Sequence, residues 1–227
     1  MIGRAPREAA WDPAFTRRSP LFAPIAEVAE LLAGEATFPS PERLDALLAA
    51  RAGVRFERAA PKPRRRGRGR PAPALYDARI SLEGVVPTRA DSWHDLLNAL
   101  VWATFPKAKR ALHARQHALV VPAAPGEVRH RPRALDALAL FDEGGVVESA
   151  AGLSVFGHAV YEGLVEGWPA PTASALAVEV TTAALDASLA QVLSDPAVFA
   201  DPGALRRVDL GALAGPLRTP PPIPLTD

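Results

Sequence analysis

The chain has 227 residues, 26 basic and 25 acidic side chains, 48% hydrophobic residues and no cysteine, so it can bury a core without covalent staples. The lack of cysteine excludes disulfides, thiol nucleophiles and thiolate metal sites, and leaves His, Asp, Glu and Asn to carry chemistry. No apolar run approaches the roughly 18 residues that span a bilayer, and the charged N-terminus lacks the apolar block of a secretory signal, so a cytoplasmic protein with no membrane attachment is expected.

The opening stretch holds Trp11, Phe15, Leu21 and Phe22, and a helix is predicted from about Ala23 to Ala33, where Ile25, Val28, Ala29 and Leu32 share a face. A second helix starts at Ser40-Pro41-Glu42, with a capping serine and proline at the first helical position, and closes at Gly53. Residues 1–53 read as an N-terminal helical segment of the same domain. The core domain, residues 54–200, opens with two predicted strands, Val54 to Arg58 and Ala74 to Leu82. Between them lies Pro61 to Pro73, where Lys62, Arg64, Arg65, Arg66, Arg68 and Arg70 crowd among proline and glycine. Without those six, 20 basic groups face 25 acidic ones, so the basic character is local. Like charge and poor packing residues predict a disordered basic loop at 61–73. It reads either as a plain connection between strands or as a nucleic-acid tether acting through Arg64, Arg65, Arg66, Arg68 and Arg70.

From Asp91 to about Val120 the pattern is helical and Pro106 must break it, which predicts an αα-hairpin or kinked pair. Ala137 to Phe141 reads as a strand, Asp142-Glu143-Gly144-Gly145 as a tight turn, and Val146 to Glu148 as the returning strand of a hairpin. A helix at Ser154 to Leu164, a strand near Leu176 to Thr182 and a helix from Ala183 to Leu193 follow. Residues 201–227 form a Pro-rich C-terminal tail.

Chemistry concentrates in Arg89 to Trp102. Ser92 can cap the helix with Asp95 at the reciprocal position, and His94 and Asn98, four apart, point the same way from one helix. The helix N-terminus presses His94 toward its neutral form. His94, Asp95 and Asn98 are the candidate catalytic residues, although Asp95 also fits a capping role and the other two a buried polar pair. The second concentration places His158 and Glu162 on one helical face, and with His94 they give three nitrogen and oxygen ligands for a divalent metal with a position left for water. Arg89, Arg133 and Lys109 are candidates for binding an anionic small molecule, and Arg133 can also pair with Asp136. His113 and His117 stand among cations, which suits a solvated or anion-binding face, and His130 reads as loop.

Three motifs carry a resemblance. W-H-D-x-x-N-A-L-V-W-x-x-F-P-x-x-K from Trp93 to Lys109, R-x-x-D-A-L-x-L-F-D-E-x-G from Arg133 to Gly145, and G-H-A-x-x-E from Gly157 to Glu162 resemble a bacterial family catalogued as a domain of unknown function. The similarity covers roughly Val54 to Leu164. It implies a bacterial protein of that family and brings with it no reaction, cofactor or catalytic residue.

The expected architecture is α+β, a single domain with helices packed on a small mixed or antiparallel sheet. Two functions remain. One is a hydrolase-like enzyme in which a metal activates water. The other is a noncatalytic module whose polar residues are structural and whose basic groups meet an acidic partner or nucleic acid.

Overall fold

A computed structural model describes residues 9–60, 74–120, 131–149, 152–168, 172–177 and 184–210. The basic segment 61–73, His130 and the prolines after residue 210 lie outside them. The fold is α+β, with eight α-helices and two small sheets among the described residues.

After two 3-10 turns come α1 (Ala23–Ala29) and a further 3-10 turn. Helix α2 (Pro41–Ala52) follows, with Ser40 Oγ accepting from the Arg43 amide and Gly53 closing it in the left-handed conformation at φ 66°, a geometry glycine adopts without penalty. Strand β1 (Arg55–Arg58) pairs in parallel with β2 (Val85–Thr88), Arg55 opposite Val85. Parallel neighbours require a crossover connection instead of a tight hairpin.

That requirement explains the first departure from the sequence reading. Ala74 to Leu82 is not a strand but helix α3 (Ala74–Ala78) running into a π-helical turn, Arg79–Glu83, ended by Gly84 at φ 65°. The alternating residues fit helical spacing equally well, and Ile80 and Asp77 are buried.

Helices α4 (Trp93–Thr104) and α5 (Pro106–Val120) meet at the expected break. The start of α5 is capped by a distant carboxylate, since Asp186 accepts from the Lys107 and Ala108 amides. The second departure is α6 (Arg133–Gly144), which absorbs both the expected Ala137–Phe141 strand and the expected turn. Leu135, Leu138 and Phe141 recur at helical spacing and are buried. The hairpin forms one step later, between β3 (Gly145–Ser149) and β4 (Gly152–Val155). Helix α7 (His158–Val165) therefore starts four residues later than the sequence suggests.

Strand β5 (Thr172–Ala177) pairs in parallel with β3, and after α8 (Leu185–Ser194) strand β6 (Arg206–Asp209) joins β5 antiparallel, giving the order β4-β3-β5-β6. Residues 206–209, read from sequence as tail, thus complete the mixed sheet.

One continuous apolar core runs from Phe15 to Leu210. An aromatic cluster at its N-terminal side joins Trp11, Phe15 and Phe38 to Trp93, with Phe22 stacked on Tyr161. No described helix is long and apolar enough to cross a membrane.

Candidate metal centre and adjoining cleft

Three helix ends meet at the polar centre. Ser92, in extended backbone, accepts from the Asp95 amide and starts α4. Trp93 fixes the rotation of that first turn, because its indole donates to the Ala9 carbonyl at 2.7 Å while its rings pack on the N-terminal aromatics. His94 then points away from that cluster toward α7.

The approach of α7 depends on Gly157. The amides of Phe156 and Gly157 both donate to the Gly145 carbonyl, at 2.9 and 2.8 Å. A Cβ on Gly157 would lie 2.3 Å from the Gly145 nitrogen and 2.5 Å from the Glu143 carbonyl oxygen. Only a residue without a side chain permits that contact, and it sets His158 beside the last turn of α6.

His158 Nε2 lies 3.1 Å from His94 Nε2 and 3.4 Å from a Glu143 carboxylate oxygen. One ligand atom from each of His94, Glu143 and His158 falls within 4.8 Å of the others. Glu162, one turn along α7, takes the opposite nitrogen of His94, with Oε2 2.9 Å from Nδ1. His158 is buried, whereas the Glu143 side chain is half exposed, so the group opens toward solvent at its carboxylate.

The electrostatics divide the two imidazoles. The Glu162 hydrogen bond raises the His94 pKa above the ordinary histidine value, against the opposing effect of burial. This reverses the expectation of a neutral His94, since a direct charged partner outweighs the partial charge of a helix terminus. Burial drives His158 the other way, to about 3, although Asp142 opposes the shift. Its Nδ1 makes no hydrogen bond of normal geometry among the described residues. Burial raises the Glu143 carboxyl, and His94 pulls it back.

A second set of buried charges abuts the first. Lys109, fully buried, donates to Asp142 Oδ1 at 2.5 Å. One turn further along α5, His113 bonds Asp77 through Nδ1 at 3.0 Å, while its Nε2 faces Asp142 Oδ2 across 3.9 Å. Trp102 stacks on the His113 ring, with centroids 5.3 Å apart. The cleft beside them, about 280 Å³, is lined by Tyr76, Asp77, His113, Gln116, Asp142 and Glu143 among others. Asn98 donates to the Tyr76 hydroxyl at 3.4 Å, and its own buried Oδ1 has no partner among the described residues.

Of the sequence candidates, the structure brings together His94, His158 and Glu162, with Asn98 one turn below. Glu162 sits behind His94 and not beside the two facing nitrogens, and Glu143 takes the third position. Asp95 is engaged by Arg89, which donates to it from the backbone amide and from both nitrogens, Nε and Nη2, of one guanidinium edge. Arg133 pairs with Asp201, and Asp136 with Arg131, in place of the expected Arg133 and Asp136 contact. Lys109 faces inward to Asp142 and has no exposed surface to offer an anion. His113 is buried, contrary to the solvated face read from its cationic neighbours. Arg64, Arg65, Arg66, Arg68 and Arg70 lie outside the described residues.

Residues 66–152 match the family model described as "Protein of unknown function (DUF3025)". The match is consistent with the resemblance to an uncharacterised family. It begins inside the basic segment and runs through α6 and the β3 strand, so it takes in His94, Asn98, Lys109, His113, Asp142 and Glu143 and stops short of His158 and Glu162. No curated protein and no solved structure matches the chain.

Sequence reasoning missed Glu143, Asp142 and the inward role of Lys109 and His113. A signal was present: Lys109 and His113 are spaced i, i+4, and Asp142 and Glu143 fall one helical turn past Leu138. Reading residues 137–141 as a strand concealed it.

Proposed function

We propose that the protein is a metal-assisted hydrolase in which His94, His158 and Glu143 hold one divalent ion. The observation that carries this reading is the pair of Nε2 atoms facing each other at 3.1 Å with the Glu143 carboxylate beside them. Two imidazoles and one carboxylate are a common donor set for catalytic metal, and such an ion acidifies a bound water toward a pKa near 7. The chain's own residues supply the rest. Glu162 holds the Nδ1 proton of His94, which fixes the tautomer and leaves Nε2 free to donate its lone pair. His158 is kept neutral by burial, as a ligand must be. Glu143 lines the adjoining cleft, so a molecule bound there lies against the same carboxylate.

One observation favours a noncatalytic reading. A cationic His94 can donate Nδ1–H to Glu162 and Nε2–H to the neutral His158, closing the network with no ion.

Metal analysis separates the two. Wild-type protein offered Zn²⁺, Mn²⁺ or Fe²⁺ is expected to retain about one ion per chain, and His94→Ala, His158→Ala and Glu143→Gln to lose it. A wild type that takes up none of the three, or a His158→Ala variant that binds as well as wild type, refutes the proposal.

A further inference from the structure

We infer that the cleft between α3, α5 and α6 is a recognition site for a small molecule bearing a primary ammonium group. The inference turns on His113 and Asp142, which are not among the proposed metal ligands, although the cleft shares Glu143 with them, and it does not rest on a metal being bound.

The argument starts from His113. Its Nδ1 faces Asp77 Oδ1 at 3.0 Å, and an acidic acceptor there places the ring proton on that nitrogen. Nε2 is then a lone pair. It is buried and without a hydrogen-bond partner among the described residues, in a residue that is 2% exposed. The polar atom it faces is Asp142 Oδ2, at 3.9 Å. Two acceptors set opposite each other at that distance are too far apart to bond, and neither carries a proton to offer the other. A nitrogen with several N–H groups, about 2.8–3.0 Å from each, satisfies both.

The ring is not free to turn and solve the problem alone. Trp102 stacks on one face, nearly parallel at 8°, and Tyr76 meets it at 5.9 Å. The charges of the wall favour a cation. Asp77, Asp142 and Glu143 all line the cleft, and against them stand Lys109, which is spent on Asp142 Oδ1 from behind, and Arg131, which is paired with Asp136. The Tyr76 hydroxyl, held by Asn98, adds a further acceptor. The volume, about 280 Å³, suits a small ligand and excludes a macromolecular one.

The test uses three chemically matched probes on the full-length wild-type protein: n-butylammonium, n-butanol and butyrate, titrated at neutral pH and followed by amide and histidine side-chain NMR. The ammonium is expected to shift resonances at residues 76–77, 113 and 142–143 in the millimolar range, at least tenfold tighter than the alcohol, with butyrate weaker still. The His113 Nε2 resonance should move with it. An Asp77→Asn variant should weaken the ammonium at least fivefold and leave the alcohol unchanged. Equal binding of ammonium and alcohol would mean that a water bridges the two acceptors, and it overturns the inference. So does the absence of any shift with ammonium up to about 100 mM. The wild-type comparison needs no variant to fold. Repeating it on chelator-treated and metal-loaded protein separates this site from the metal proposal, since ammonium binding without metal uptake supports one and refutes the other.

Discussion

Replacing Lys109 with methionine isolates the electrostatics at the heart of the fold. The Lys109 ammonium is fully buried and 2.5 Å from Asp142, whose side chain is 13% exposed, and it lies 5.5 Å over the Trp102 ring. Methionine conserves most of the volume, so the principal loss is the partner of a largely buried carboxylate. Breaking one side of such a pair costs about 3–5 kcal/mol, which for a chain of this size lowers Tm by about 6–20 °C. The pH dependence gives a sharper check. Burial pushes the Asp142 pKa up, but the Lys109 ammonium bonded to it outweighs burial and holds it well below the ordinary aspartate value. In wild type, then, Asp142 contributes stability that is present above the unfolded pKa of about 4 and is lost as pH falls toward the folded value. Without Lys109, burial pushes the pKa upward, and acid relieves the strain by protonating the carboxyl. Urea unfolding followed by circular dichroism at pH 7 and pH 4 should therefore show a large loss at pH 7 that shrinks at pH 4. The double variant Lys109→Met, Asp142→Leu should recover most of the stability, because an apolar pair can replace a buried ionic one. A single-variant loss below about 1 kcal/mol at pH 7, or a loss equal at both pH values, would refute the reasoning.

Three further outcomes are expected. Glu162→Gln should weaken metal binding by about 10–100-fold without abolishing it, because it removes the group that orients His94 and leaves the three ligands in place; titration calorimetry measures this, and an unchanged affinity would count against the assigned geometry. The raised His94 pKa means that its pairing with Glu162 stabilises the metal-free fold below about pH 6.5 and that this contribution fades as pH rises through the folded value; comparing wild type with His94→Gln from pH 5.5 to 8.5 should show the wild-type advantage greatest at the acid end. Gly157→Ala forces a Cβ against main-chain atoms of residues 143–145 and should cost about 1–3 kcal/mol or more, with the metal affinity falling alongside it, since the same contact sets His158 beside Glu143.

How much of this was legible in the sequence follows from where each signal resides. Helix α2 could be read because its cap, its proline and its terminal glycine are neighbours in the chain, and the break at Pro106 is likewise local. The i, i+4 spacing of His158 and Glu162 is equally local, but their facing of His94 is not, because it depends on the packing of α4 against α7 across more than sixty residues of chain. Residues 137–141 were misread because a five-residue run of alanine, leucine and phenylalanine satisfies either period, and the deciding fact is burial of Leu135, Leu138 and Phe141 on one face. That error had a cost at the site: once Asp142 and Glu143 were assigned to a turn, neither was available as a partner for His158 or Lys109. Lys109 and His113 look solvated in any local window, and the carboxylate that draws Lys109 inward lies 33 residues away.

The N-terminal aromatic cluster has a consequence for the order in which the chain can fold as it is synthesised. Trp11, Phe15 and Phe22 pack in part on Phe38 and on one another, and in part on Trp93 and Tyr161, and Arg18 reaches the Val165 carbonyl 147 residues downstream. At roughly 5–20 residues per second on the ribosome, about 7–30 s pass between the emergence of the first partners and the last. For that interval the cluster lacks the Tyr161 ring that stacks on Phe22, and the polar centre cannot assemble until the wait is over, because the helix that carries Tyr161 also delivers His158 and Glu162.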